Sequence, residues 1–421
     1  MTSEAFVYIM LPGQTTFVTA GRFVLTEDRH GAPLGRFVYG RSYLARTDSV
    51  ALDPIELPLS ELTYETHRLK GMFGALRDAS PDYWGRRVIE KHAGLAQLGE
   101  IHYLLHSPDD RAGALSFGRA ATPPAPARAY NQTVDLARLQ ALADQLISEE
   151  TSTEATPAEL AQVQDLLLLG TSMGGARPKV VIEDESQLWI AKFNRNDDPW
   201  NHARVEHAML VLARECGLTT AESRITNVAG RDVLLVKRFD REPHAEGYRR
   251  ARMLSALTLL RTGDSHQDRE RWSYVLLVEE LRRVSSDPRA DAHELFRRMV
   301  FNALISNSDD HPRNHAVIAP GSEWRLSPAY DLVPFPAVSL ERRDLALIVG
   351  DFGRYANVNN LLSQCARFLL TRDKASQIIN AVEDQVRARW YAVARGVGVT
   401  ERDCATIARA FAYDGFRLET R

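Results

Sequence analysis

The stretch from Ala303 to Phe335, ALISNSDDHPRNHAVIAPGSEWRLSPAYDLVPF, constrains this chain more than any other. An apolar run enters a knot of Asp, His and Asn, a connector follows, and Asp331 arrives on what reads as a β-segment. Asp309 and Asn314 stand five positions apart. A catalytic Asp, an Asn five residues later and a further Asp in apolar surroundings make the acidic half of a phosphoryl-transfer site. In that pattern Asp309 orients and deprotonates an acceptor hydroxyl, while Asn314 and Asp331 hold Mg²⁺ against the phosphates of ATP. Tyr330, Leu332 and Phe335 are expected to form a dry wall that strengthens the carboxylate–metal contact.

The same residues admit other readings. Asp309 and Asp310 could cap a helix end, but two acids, an Asn and two His exceed capping needs. His311 and His315 have the i, i+4 spacing of a zinc site. With Asp310 they would suit a metal-dependent phosphohydrolase, although Pro312 between them argues against a continuous helix. Asp351-Phe-Gly353 spells a kinase tripeptide. It lies much farther from Asn314 than Asp331 does, so it reads as a chance match at a strand exit.

A chain of 421 residues makes two or more packed units by the usual domain size. A net charge of −3 argues against coating nucleic acid or an acidic membrane by bulk charge. The clusters Arg249, Arg250, Arg252 and Arg297, Arg298 read as solvated helix faces. Three scattered cysteines without C-x-x-C spacing make neither a disulfide framework nor a zinc site, which points to a reducing compartment. The N-terminus carries acid where a signal peptide needs base, and no window approaches a membrane span. A cytoplasmic chain with no membrane partner is expected.

Residues 1 to about 60 alternate apolar and polar side chains between Gly and Pro, as strands do. Ser80-Pro81 then opens a helical run, and the Pro- and Ala-rich stretch from Ala121 to Tyr130 reads as a linker. Two helical runs follow, then TSMGGARPK, the strands VVIED and LWIAKFN, an amphipathic helix ending near Gly217, and a strand–turn–strand over RITNVAGRDVLLVKRFDR. Helices are expected to dominate from Ala251 to Asn307 and from Asn359 onward. The layout predicts an α+β, two-lobed chain: 1–125 an N-terminal strand-rich subdomain, 126–240 the nucleotide-binding part, 241–421 a helical catalytic lobe.

Three further constellations fit that layout. In Thr171 to Lys179 a Gly pair lets backbone N–H groups approach phosphate, with a hydroxyl, Ser172, able to accept one. Taken alone, it reads equally as a turn joining a helix to a strand. Lys192 sits among apolar neighbours on a strand, costly unless it meets an anion, with Glu206 on the next helix as its partner. The alternative is an edge lysine that snorkels to water. Val236 to Arg241 would cross between lobes, Lys237 and Phe239 meeting adenine through the backbone and Asp240 reaching the ribose. A strand running into a charged loop would look the same.

TSMGGARPK, WIAKF, VKRFDR, NSDDHPRNHAV and SPAYDLVPF, in that order, resemble the HipA family of serine/threonine kinases, and GMFGALRDASPDYWGRRVIEKH resembles its amino-terminal region. The resemblance implies a toxin of a type II toxin–antitoxin pair that phosphorylates a protein, in known members an aminoacyl-tRNA synthetase, and so halts translation. Carried over, Asp309 is the catalytic base and Asn314 and Asp331 the metal ligands. Gly174, Gly175, Ala176, Arg177, Pro178 and Lys179 form the phosphate loop, with Lys192 gripping phosphate. Lys237, Arg238, Phe239 and Asp240 line the adenine and ribose side, with His311 and Tyr330 completing the ATP site. Ser172 is the autophosphorylated serine. The implied partner is a HipB-like helix-turn-helix antitoxin, which brings operator DNA indirectly. Arg177-Pro178 departs from better-known members, which carry polar or acidic residues there.

Overall fold

Alternation along the first hundred residues produces a sheet whose inner face is aromatic. In a computed structural model, describing residues 3–93, 98–127, 130–148, 177–336, 339 and 341–418, β1 (Ser3–Met10), β2 (Phe17–Glu27), β3 (Pro33–Tyr39), β4 (Tyr64–Thr66) and β5 (Leu115–Gly118) pair antiparallel. Their order is β4-β3-β2-β1-β5. Phe23 and Phe37 meet Phe73 edge to face across the core, burials that stabilise by about 1.5–3 kcal/mol each. Helix α1 (Tyr83–Ala93) begins after Asp82, whose Oδ1 accepts the Gly85 N–H at 2.7 Å. The start expected at Ser80-Pro81 therefore moves two residues on, to the carboxylate that satisfies an orphan helix donor.

The second sheet has the order β6-β7-β8-β10-β9. It comprises β6 (Asn131–Gln132), β7 (Lys179–Asp184), β8 (Gln187–Phe193), β9 (Ser223–Val228) and β10 (Arg231–Lys237). Ala191 and Phe193 of β8, with Val233 and Leu235 of β10, pack under Leu136, Leu139 and Ala143 of α2 (Leu136–Ser148) and under Trp84 and Val88 of α1. One face is thus sealed by helices from two parts of the chain. The period of two then sends Ile190 and Lys192 to the opposite face, across from Val236 and Leu234.

Helices α3 (His202–Glu215), α4 (Tyr274–Val284), α5 (Pro288–Leu304) and α6 (Arg372–Gly396) build the third body. Helix α5 is buried on nearly every side of its second half, from Leu295 to Leu304, and forms the axis of that core. The run from Ala251 is not helical at its start. Strand β13 (Arg252–Ser255) pairs with β14 (Ala316–Ala319), because a backbone emerging beside the Asn314 loop finds its hydrogen bonds there. The hairpin β11 (Arg241–His244) and β12 (Gly247–Arg250) precedes it. Arg250, Arg252 and Arg298 are buried and paired, so the two arginine clusters are not solvated helix faces. Their heads reach main-chain carbonyls of other segments.

The first body packs closely on the third. A Cβ added to Gly74 would lie 2.6 Å from the Thr258 side chain, a contact only glycine allows. Asp78 accepts hydrogen bonds from the Ser255 N–H (2.7 Å), Ser255 Oγ (2.6 Å) and Thr258 Oγ1 (2.7 Å). Among the described residues, no helix is long and apolar enough to cross a membrane. The second helical run, 156–170, with Ser172, Gly174, Gly175 and Ala176, lies outside the described residues.

Candidate active site

Lys192 points from the open face of β8 into a cleft between the second sheet and the helical body. Its Nζ lies 2.6 Å from Glu206 Oε1 of α3 and 2.7 Å from Asp331 Oδ1. The reading of Lys192 as an inward-facing lysine holds, and the snorkelling edge lysine does not. Two carboxylates share one ammonium, leaving the cluster one negative charge in excess. Burial alone would lower the lysine, but Asp331 and then Glu206 overcome it and hold it above its ordinary value. Burial would likewise raise Asp331, yet the Lys192 ammonium holds that carboxyl down to about 2. Glu206 is raised by its burial, against the pull of Lys192.

Asp331 is not on a strand. It has φ of +59° in irregular chain, a left-handed conformation that costs an L-residue about 1–2 kcal/mol and that Asp tolerates better than most. That twist aims its carboxylate at Lys192. The wall beside it also differs from expectation. Tyr330 lines the cleft and meets Phe239 at 5.6 Å between ring centroids. Leu332 belongs instead to the helical core, and Phe335 is 51% exposed. One left-handed residue changes the direction of everything after it, which periodicity does not reveal.

The loop after α5 is held from beneath. Asn307 Nδ2 donates to Asn302 Oδ1 (3.1 Å), and Asn302 Nδ2 to Tyr274 Oη (3.1 Å). The Tyr274 hydroxyl donates to Asp310, which lies 3.0 Å from His315 Nε2. All five are buried. Above this network Asp309 is exposed toward solvent, and Asn314 Nδ2 donates to the Asp309 carbonyl at 3.1 Å. Partial burial, then the Asp331 charge, raise the Asp309 carboxyl against the opposing pull of His311. Asp309, Asn314 and Asp331 therefore share one neighbourhood.

Asp310 and His315 lie beneath the loop, whereas His311 lines the cleft. The trio required for a phosphohydrolase does not converge. Among the described residues, no three His, Cys, Asp or Glu side chains are grouped to hold a metal ion. A magnesium ion, which takes one or two protein oxygens and completes its shell with phosphates and water, fits Asn314 and Asp331 better than a closed protein cage would. His311 Nδ1 is buried and finds no hydrogen-bond partner among the described residues, a donor or acceptor left for something in the cleft. Asp351-Phe-Gly353 forms a tight turn tied to the Asn360 and Ser363 side chains, and Phe352 is half-exposed.

The cleft is lined by residues from all three bodies, Asp78 and Asp82 from the first, Ile190 and Lys192 from the second, and Asn314 and Asp331 from the third. Lys237, Arg238, Phe239 and Asp240 border it. The Lys237 N–H donates to the Glu222 carbonyl (2.8 Å) and the Arg238 N–H to the Leu188 carbonyl (2.9 Å), so these two donors belong to the scaffold. Asp240 departs most from its expected place. Its oxygens accept from Arg238 Nε (3.0 Å), Arg241 Nη1 (2.8 Å) and the Gly113 N–H (2.9 Å), which leaves little for a ribose. Arg177 forms a bidentate pair with Asp198 (2.9 and 2.6 Å), and the Pro178 carbonyl accepts from the Phe193 N–H (3.2 Å). Lys179 is buried, its Nζ 2.9 Å from Asp82 Oδ2.

Several cleft residues escaped the sequence reading: Asp78, Ser80, Asp82, Met253, Ser255 and Arg313. The first three come from the N-terminal body. Ser-Pro-Asp is also an ordinary helix start, so no signal short of the contact itself marks its second use. Arg313 could have been found, since it lies between Asp309 and Asn314; its guanidinium pairs with Asp264 at 2.6 Å.

Comparison with known proteins agrees with this architecture. Against the HipA of a Shewanella oneidensis MR-1 toxin–antitoxin complex with HipB and operator DNA, the TM-score is 0.67 at 17% identity, covering 96% of this chain and 94% of that one. The two share a two-lobed, kinase-like fold. "Putative kinase Y4mE" of Sinorhizobium fredii is 26% identical over 355 residues, 76% of this chain and 77% of the relative. A "Putative kinase" of Haemophilus influenzae is 27% identical over 189 residues, 40% of this chain, and the chain spans about half of that relative's length, 55%. The model of the HipA-like C-terminal domain matches residues 171–390, and that of the HipA N-terminal domain matches residues 18–118. With the C-terminal model alone matching over half of its residues, the chain belongs to the HipA family.

Proposed function

We propose that this chain is an ATP- and Mg²⁺-dependent serine/threonine protein kinase of the HipA type. The observation that carries the reading is Lys192, brought by a strand to within 2.7 Å of Asp331 from the helical body, with Asp309 and Asn314 on the adjoining loop. Lys192, held by Glu206, meets the phosphates of ATP. Asp309 accepts the proton of the acceptor hydroxyl, its raised carboxyl better matched to that task than an ordinary aspartate. Asn314 and Asp331 would hold magnesium, which neutralises charge developing on the transferred phosphoryl group. Phe239 and Tyr330 supply the apolar side of the base pocket. The names of the relatives from Sinorhizobium and Haemophilus support the same chemistry.

The same reading extends to regulation and partners. Ser172 is the proposed autophosphorylation site, a HipB-like antitoxin the partner, and operator DNA is reached through it. The Shewanella complex of HipA, HipB and operator DNA supports this assembly for a chain of the same fold. A protein of the translation machinery, an aminoacyl-tRNA synthetase by family likeness, is the proposed acceptor. We further propose the divisions 1–125, 126–240 and 241–421 as N-terminal, nucleotide-binding and catalytic units. Incubation with γ-labelled ATP and Mg²⁺, followed by mapping of the labelled residue, tests the reading. Label on a serine of this chain supports it, and absence of ATP binding overturns it.

A further inference from the structure

Lys179 and Lys192 stand directly opposite each other on β7 and β8, so their side chains share the cleft face of the sheet. Two ammonium groups so placed repel unless each has its own counter-charge. Lys192 has Glu206 and Asp331. Lys179 has Asp82, 97 positions earlier and on the N-terminal body, with both side chains buried. Asp82 borders the cleft beside Asp78 and Ser80, and the field of Lys179 reaches Asp331.

The segment 77–82 also grips the other side of the cleft. Asp78 holds Ser255 and Thr258, and Arg77 shares Asp264 with Arg313, two residues after His311. One short stretch of the N-terminal body therefore touches the second sheet through Asp82 and the helical body through Asp78 and Arg77.

We propose that Asp82 is a positioning residue for the nucleotide site: it orients the Lys179 ammonium toward the phosphates, so that the N-terminal body forms part of the ATP pocket rather than an appendage to it. The proposal rests on the kinase reading above. Asp82 uses its two oxygens for different tasks, Oδ1 for the Gly85 N–H and Oδ2 for Lys179. Asp82→Asn separates them, because asparagine caps a helix as well as aspartate does but carries no charge.

The experiment measures affinity for ATP and for adenosine, with Mg²⁺, in the full chain, for wild type, Asp82→Asn, Lys179→Met, the double variant and Lys192→Ala. Asp82→Asn is expected to weaken ATP binding about tenfold, the loss of one charge-assisted contact, while adenosine affinity stays at the wild-type value. The unfolding midpoint falls, because the buried Lys179 loses the Asp82 counter-charge, so both affinities are measured at a temperature where the variant is folded. The double variant should bind ATP no more weakly than Lys179→Met alone, since Asp82 acts through that lysine. Wild-type ATP affinity in Asp82→Asn, or equal losses for ATP and adenosine, overturns the proposal. Wild type and Lys192→Ala report on the kinase reading separately: if wild type binds no ATP, both fall. If Lys192→Ala alone loses ATP, the reading stands and Asp82 is judged by its own variant.

Discussion

Two clusters of buried charge border the cleft, one where β10 runs out into residues 238–241, the hinge, and one around Lys192 and the part-exposed Asp331, the mouth, and they are built differently. At the hinge, Arg238 and Arg241 are matched by Asp110 and Asp240, two cations to two anions, with every one of the four buried. At the mouth, Lys192 is shared by Glu206 and Asp331, one cation to two anions, and Asp331 keeps 35% of its side chain exposed. A closed, balanced set is a scaffold: burial is tolerable because each charge has its partner. An open, unbalanced set facing a cleft is a place for a missing cation and its phosphates. Charge count and exposure, rather than burial alone, separate the two.

The strongest way to break this contrast is at the mouth. Asp309→Asn should reduce phosphoryl transfer by about 10²–10⁴-fold, and Asp331→Ala at least as much, in a labelled-ATP assay. Asp309→Asn should leave the unfolding midpoint in place, and Asp331→Ala should lower it by less than a hinge substitution does, because Lys192 keeps Glu206. Retained turnover in Asp309→Asn would remove the base from the scheme. At the hinge the effect should fall on stability instead. Arg238→Ala leaves Asp110 and Asp240 buried with one arginine fewer, a loss of about 3–5 kcal/mol in denaturant unfolding. A loss of activity with unchanged stability there would merge the two clusters into one site.

Acid sharpens the comparison next. Because Asp309 is raised and must be ionised to act, kcat/KM should fall as pH drops, along a limb lying above the ordinary aspartate value of about 3.9. The residual activity of Asp309→Asn should lack that limb. Asp331 behaves oppositely. Its carboxyl is depressed to about 2, so the stability it contributes is fully present above the unfolded value near 3.9 and is lost as pH falls through about 2. Unfolding midpoints across that window measure it. The smallest effect is expected from Phe335, which is exposed and away from the cleft: Phe335→Ser should leave ATP affinity unchanged, whereas Phe239→Ala should weaken it.

The acidic motif was legible because its residues are neighbours in the chain, and Lys192 because a strand in apolar surroundings gives a lysine only one way to be buried at low cost. The wall was misread because Asp331 turns left-handed and redirects Leu332 and Phe335. Asp240 was misread for a related reason: its partners Arg238 and Arg241 are local, but the pocket that buries them is closed by Asp110 and Gly113 from far earlier in the chain.

Local chemistry and period were enough to determine a strand-rich beginning, a helical end, and the positions of Asp309, Asn314, Asp331 and Lys192. Tertiary structure alone decided which charges are balanced, which carboxylate faces the cleft, and that Asp82 reaches Lys179 from another body. The physical reason is distance along the chain. Hydrogen-bonding capacity and periodicity are properties of a few adjacent residues, whereas the partner that spends a charge can be a hundred positions away.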